Sequence, residues 1–260
     1  MSEAQPIMTN PTLSALVVAH NEEKRLEACL SKLGFADEIV VVLDKCTDRS
    51  KEIAAAFTDR LVEGSWAIEG DRRNTGIAAC RSDWVLEVDA DEHVPPELAA
   101  EIRRVISTTR FAWHEIPVDN YIGDRLVRHG WGASYGKAAY PGLFRRDAKT
   151  WGRDRVHPGL TWRGDKGPML VNRLKHYVDK NISDMIRRLD HYSTARARDL
   201  RERGETWGST ASNVRRMIFR FFKCYVRRGG WREGGYGFVI AVCAGLYPML
   251  SHLKAKYEKD

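Results

Sequence analysis

The feature that most restricts the fold is a series of compact apolar segments of strand length, each ending on polar residues and followed by a helix-like stretch. Leu13 to Ala19 (LSALVVA) ends at His20-Asn21-Glu22. Leu26, Leu30 and Leu33 then recur at helical spacing, with Asn21 placed to cap that helix. Glu38 to Leu43 (EIVVVL) runs into Asp44 without alternating, so both of its faces are expected to be buried, as in a parallel sheet. Thr47 or Asp48 can cap a helix reaching Phe57, Arg60 to Val62 reads as a third strand, and Gly70 to Cys80 as a third helix. Trp84 to Val88 (WVLEV) ends at Asp89-Ala90-Asp91, and Pro95-Pro96 opens a helix carrying Leu98, Ile102, Val105 and Ile106. Four strand–helix units in succession imply right-handed crossovers and a doubly wound α/β sheet with helices on both faces.

A sheet of that kind needs a large core, and 260 residues, 43% of them hydrophobic, supply one. A disordered chain and a disulfide miniprotein are excluded. The net charge is +7, yet residues 187–232 hold 13 Arg/Lys against 4 Asp/Glu. Basicity is therefore a local property of the C-terminal third, where it points to an anionic partner or surface. The five cysteines form no C-x-x-C and no zinc spacing, and no signal peptide is recognisable, so a reduced, cytoplasmic setting is expected. The longest apolar run, Phe238 to Leu250, has 13 residues including Gly245 and Pro248; a helix needs about 20 to span a bilayer, so no transmembrane segment is predicted.

In doubly wound sheets, ligands bind beyond the carboxyl ends of the strands. His20, Asn21 and Glu22, then Asp44, then Asp89 and Asp91 fall there. Turns and helix caps also use Asp and Asn, but a polar set at three strand ends is harder to assign to turns alone. No G-x-G-x-x-G follows the first strand, and Gly132 to Lys137 (GASYGK) is one residue short of a Walker A loop, with Ala138 where a magnesium-binding Ser/Thr would stand. Asp89-x-Asp91 offers another route to a diphosphate: two hard carboxylates can hold a divalent cation that bridges the phosphates.

The order VVAHNEE, EIVVVLDKCTD, RRN (Arg72 to Asn74) and DWVLEVDADE resembles the inverting glycosyltransferases of family 2, in particular the bacterial β-1,4-glucosyltransferase-like proteins that build lipopolysaccharide core. GLFRRD (Gly142 to Asp147), RVH (Arg155 to His157), KHY (Lys175 to Tyr177) and FRFFKCYVRRGG (Phe219 to Gly230) extend the likeness over most of residues 12–250. The resemblance implies a GT-A (Rossmann-like) α/β fold: a mostly parallel sheet flanked by helices, with a helical, basic C-terminal region. Residues 1–180 would form the glycosyltransferase domain, with a nucleotide-sugar half at about 12–110 and an acceptor half at about 111–180, and 181–260 the C-terminal region. It further implies a nucleoside-diphosphate sugar, with UDP the first expectation, a glycan or glycolipid acceptor, and Mg²⁺ or Mn²⁺. Ala19, Asn21, Glu22, Asp44, Arg73, Asp89 and Ala90 would line the nucleotide-sugar pocket, and Asp89 and Asp91 would hold the metal. Arg73 stands where the family usually has Lys in Q-K-N, and Arg72 departs from its Gln.

An inverting transfer needs a base on the acceptor side and a cation on the leaving side. Related proteins read V-H-E, whose Glu is the natural base, whereas here Val156-His157 precedes Pro158. Asp154, His157 and Asp165 are the base candidates, Asp154 first because Arg153 and Arg155 would keep it ionised. His157 or His176 could also complete a metal shell. Two other classes fit parts of the chain. A catalytically silent protein of the same fold would explain the missing Glu. A nucleic-acid binder would use the arginines with Trp207 and Phe222, but acidic strand ends repel phosphates, so no nucleic-acid partner is expected. Finally, Val214, Met217, Ile218, Phe221, Phe222 and Tyr225 mark one apolar helical face among Arg215, Arg216, Arg220, Lys223, Arg227 and Arg228. That pattern suits either packing on the α/β domain or peripheral attachment to an anionic membrane surface on the inner face of the cell membrane.

Overall fold

The computed structural model describes residues 10–132, 136–153, 159–202, 204 and 208–258. In chain order the elements are β1 (Leu13–Ala19), α1 (Leu26–Leu30), β2 (Glu38–Asp44), α2 (Ser50–Ala55), β3 (Leu61–Gly64), α3 (Glu69–Ala79), β4 (Trp84–Asp89), β5 (Glu92–His93) and α4 (Pro96–Thr108). There follow β6 (Trp113–Ile122), β7 (Arg125–Val127), β8 (Ala139–Arg145), β9 (Lys149–Trp151), β10 (Leu160–Trp162), β11 (Leu174–Asp179), α5 (Ile182–Glu202), α6 (Thr210–Phe222) and α7 (Gly235–Tyr257). The chain divides into two compact units.

The first unit holds the described residues up to 116 together with 141–153 and 159–173. Its strands run β3-β2-β1-β4, all parallel, and β8 pairs antiparallel with β4 through Trp84↔Arg145 and Leu86↔Leu143. The register Val17↔Val41 and Val17↔Val88 brings the carboxyl ends of β1, β2 and β4 to one edge. Every residue of β1 is buried, so the sheet is covered on both faces, as its unbroken apolar run requires. Leu16, Val18, Val40, Val42, Ile77 and Phe144 pack on the α3 side, walled by Trp66, Trp113, Trp151 and Trp162. Gly76 is what lets α3 settle there, because a Cβ would come within 2.7 Å of Leu16 and 2.8 Å of Val42. Two local expectations change. The turn before α1 is capped by no side chain, and Asn21 sits instead in a left-handed conformation (φ 57°), its Oδ1 accepting from Thr47 N at 2.8 Å. The capping position of α2 falls on Arg49, without a side-chain cap bond, rather than on Thr47 or Asp48, and Asp48 just before it accepts from Ser50 N and Glu23 N.

The second unit holds the described residues of 117–140 and 174–260. Here β6 pairs antiparallel with β7 and parallel with β11. Ile122, Val127, Trp131, Val178, Met185 and Leu189 share a core with Cys224, Ile240, Ala241, Cys243, Ala244 and Tyr247. Glu233 is buried and receives Arg128 N and His129 N at 2.9 and 3.0 Å. The apolar run read as 13 residues lies inside the 23-residue α7, which continues through Pro248 and is long and apolar enough to cross a membrane by length and composition; half of its most apolar window is buried in the unit.

Candidate functional site

The three side chains of Arg72-Arg73-Asn74 leave α3 about 100° apart, and each grips a different strand end. Arg72 Nη1 donates to Asp44 Oδ2 at 3.0 Å, while Trp66 N donates to Asp44 Oδ1, so the carboxylate closing β2 is held from two sides. Arg73 donates to Glu69 Oε1 at 2.9 Å and to Asp89 Oδ1 at 3.0 Å, and its guanidinium lies 4.9 Å over the Trp151 ring. Burial pulls the Arg73 pKa down, but Asp89, Glu69 and Glu87 outweigh it and hold the guanidinium well above its ordinary value. Asn74 bonds the Trp151 backbone in both directions, donating to its O and accepting from its N, each at 2.9 Å. Arg72, which departs from the Gln of the resembled family, is thus the partner of Asp44.

Beneath these lies an ion pair that sequence reasoning missed. Glu87, two residues before Asp89, is buried and accepts from Lys149 Nζ and, at 2.9 Å, from Trp151 Nε1. Lys149 is enclosed by Phe144, Trp151 and Trp162, with Nζ 4.8, 4.4 and 5.6 Å from their ring centres. Burial lowers the Lys149 pKa, against the opposing pull of Glu87. The available signal was a lone glutamate inside WVLEV.

At the edge itself, Asp91 Oδ2 accepts from Arg25 at 3.2 Å and Glu22 N donates to Ser50 Oγ at 2.8 Å. Burial raises the Glu22 pKa, and the charges of Asp91, Asp48 and Asp89 push it further, against Arg25. His20 Nδ1 meets Asp44 O at 2.6 Å. Ala19 and Ala90 are buried beside these positions. The structure therefore brings Ala19, Asn21, Glu22, Asp44, Arg73, Asp89, Ala90 and Asp91 to one edge of one sheet. Among the described residues, no group of three or more His, Cys, Asp or Glu is placed to hold a metal ion.

Asp165 is not brought there. Its carbonyl accepts from Ala112 N, Ala112 O accepts from Arg145 N, and Arg145 pairs with Trp84, the first residue of β4. That is the amino end of β4, five residues or roughly 16 Å from Asp89 at strand rise. Asp154 and His157 lie outside the described residues. The chain on either side of them is fixed: Gly152 N donates to Gly159 O at 2.7 Å, Arg153 pairs with Asp71 of α3 at 3.1 Å, and a Cβ at Gly70 would sit 1.8 Å from Gly152 O. His176 is on β11, its Nδ1 2.8 Å from Asn120 Oδ1.

Parallel strand order, helices on both faces and acidic strand ends define a GT-A-type α/β protein. The chain matches the model of glycosyl transferase family 2 over residues 14–159, belongs to that family, and is a glycosyltransferase. The lipopolysaccharide core biosynthesis glycosyltransferase LpsC of Rhizobium meliloti is 24% identical to it over 259 residues, covering 93% of this chain and 91% of that protein. An uncharacterized glycosyltransferase of Rickettsia bellii is 27% identical over 245 residues, 87% and 80% of the two chains. Among solved structures, glucosyl-3-phosphoglycerate synthase from Mycobacterium tuberculosis in complex with Mg²⁺ and uridine-diphosphate aligns at 23% identity and a TM-score of 0.36. That alignment covers 42% of this chain and less than half, 44%, of the synthase.

Proposed function

We propose that this enzyme moves a hexose from a UDP-sugar to a hydroxyl of a cell-envelope glycan or glycolipid of the lipopolysaccharide-core type, inverting the anomeric carbon. The observation that carries the reading is the convergence of Asn21, Glu22, Asp44, Asp89 and Asp91 on one sheet edge, with Asp44 and Asp89 each held by an arginine of α3. The likeness to LpsC supports the acceptor class.

Arg72 fixes Asp44, and so orients the carboxylate that would meet the base and ribose. Arg73 and Glu92, whose Oε2 accepts from Asp89 N at 2.9 Å, set the side chain and backbone of Asp89. A divalent cation fits this edge. Its donors would be hard carboxylate oxygens, and beyond the effect of burial the neighbouring charges of Asp91, Asp48 and Asp89 raise the Glu22 pKa, against Arg25. Two protein carboxylates with the remaining positions left to water and phosphate is the usual way Mg²⁺ is held beside a nucleotide. When bound by Asp91 and Asp89, Mg²⁺ or Mn²⁺ supplies positive charge to the departing diphosphate.

Asp154 is the first candidate for taking the acceptor proton, ahead of His157 and Asp165, because Gly152 and Arg153 tie the chain before it to α3. In this division of labour, donor binding falls to about 12–110, acceptor binding to about 111–180, and attachment to the cytoplasmic face of a membrane to the basic region 181–260. The test is transfer from UDP-glucose to a heptose-containing core acceptor with Mn²⁺. Asp91→Asn should abolish transfer with the unfolding midpoint unchanged, whereas a wild-type rate in limiting Mn²⁺ refutes the assignment. Asp154→Asn should lower kcat by about 10² to 10⁴ with little change in donor affinity.

A further inference from the structure

The apolar stripe of α6 is divided by its own packing. Met217 lies against Gly245 of α7, Phe221 and Tyr225 pack on the core of the second unit, and Cys224 is buried in it. These residues share one side of the helix, which turns the other edge of the stripe outward. Ile218, Phe219, Phe222 and Val226 remain 49%, 62%, 56% and 56% exposed. A π-helical turn at Lys223–Arg227 continues α6 and carries Val226 on the outside. Phe238, half exposed, meets the Phe221 and Tyr225 rings edge-on at 5.7 and 5.9 Å, and exposed Trp231 follows the turn, so the aromatic surface is broad. Soluble monomers rarely leave contiguous large apolar groups in water without a partner.

The charges around the patch say which partner. Arg215, Arg216 and Arg227 are exposed beside it and Lys223 is half-buried. From Thr206 to Arg232 the chain carries seven Arg/Lys and no Asp or Glu. A second copy docking by a two-fold contact would set the basic set Arg215, Lys223 and Arg227 against the same basic set, with no carboxylate from this stretch to offset it. A single-stranded nucleic acid would stack on Phe219 and Phe222 but would leave the exposed aliphatic side chains Ile218 and Val226 without an apolar partner. Apolar side chains projecting between cations suit the boundary of an anionic bilayer, where the apolar groups enter the acyl layer and the cations meet the headgroups.

We propose that the outward face of α6 and its π-turn, formed by Ile218, Phe219, Phe222 and Val226 among Arg215, Lys223 and Arg227, docks on an anionic lipid surface. This surface deepens the membrane attachment proposed above, and its test needs no sugar donor. Co-sedimentation of the full chain with phosphatidylglycerol vesicles should show binding that weakens as salt rises. Binding should fall about fivefold for each of Arg215→Gln and Arg227→Gln. It should be lost in Phe219→Ser/Phe222→Ser, with the unfolding midpoint unchanged. Vesicle binding that survives the Phe219→Ser/Phe222→Ser change, equal binding to phosphatidylcholine, no binding at all, or a dimer that this change dissociates each overturns the proposal. Competition by single-stranded RNA with full retention of binding in the Phe variant would reassign the patch to a polyanion.

Discussion

Arg72 and Arg73 in α3 and Arg215 and Arg227 around α6 are the same residue type on helices, and they do opposite things. In α3 each guanidinium is largely buried and has a carboxylate within 3.0 Å. Around α6 they stand exposed beside exposed aromatics in a stretch without acids. The difference lies in the neighbours. Strand ends that carry Asp44 and Asp89 turn arginines into internal struts, whereas a helix with no acids along it leaves cations available to an external surface.

That contrast can be broken most forcefully at its buried end. Lys149→Met leaves Glu87 charged and enclosed, and removing one member of a buried pair costs about 3–5 kcal/mol. Urea unfolding should show that loss, and Glu87→Gln in the same chain should recover much of it. An unshifted midpoint for Lys149→Met would mean that the pair holds nothing. Next in size, Arg72→Gln leaves Asp44 without its cation and should cost about 1.5–3 kcal/mol, while Arg215→Gln should stay within about 0.5 kcal/mol. Similar losses at both positions would erase the distinction between the two helices.

A smaller, pH-dependent effect belongs to the second unit. Burial raises the Asp179 pKa from 3.8 to about 6 even though Arg188 donates to it at 2.7 Å. The folded state therefore favours the protonated acid. Its contribution is complete below pH 3.8 and is lost as pH rises through about 6, by up to about 3 kcal/mol. Asp179→Asn should flatten that decline in urea midpoints measured from pH 4 to 7; an unchanged slope would place the titration elsewhere.

The sheet was legible because its strands are unbroken apolar runs closed by Asp44 or Asp89, a pattern set by burial on both faces. The acidic edge was legible for the same reason. Glu87 with Lys149, and Asn74 with Trp151, were not, because 62 and 77 residues separate the partners and only the packing of β9 beside β4 and α3 joins them. Asn21 misled as a helix cap, since its side chain serves Thr47 across the strand ends. The spacing of α6 marks Ile218 and Phe222 but not Phe219 or Val226, because packing on α7 and the π-turn decide which edge faces outward, and periodicity alone carries no information about that rotation.

The most direct test of the central claim is calorimetric titration of UDP into the protein with Mn²⁺ and with EDTA, for the wild type and Asp91→Asn. Binding should require Mn²⁺ in the wild type and fall at least tenfold in Asp91→Asn at an unchanged melting temperature. Equal affinity in EDTA, or in the variant, would contradict a cation-assisted nucleotide site at the carboxyl end of β4.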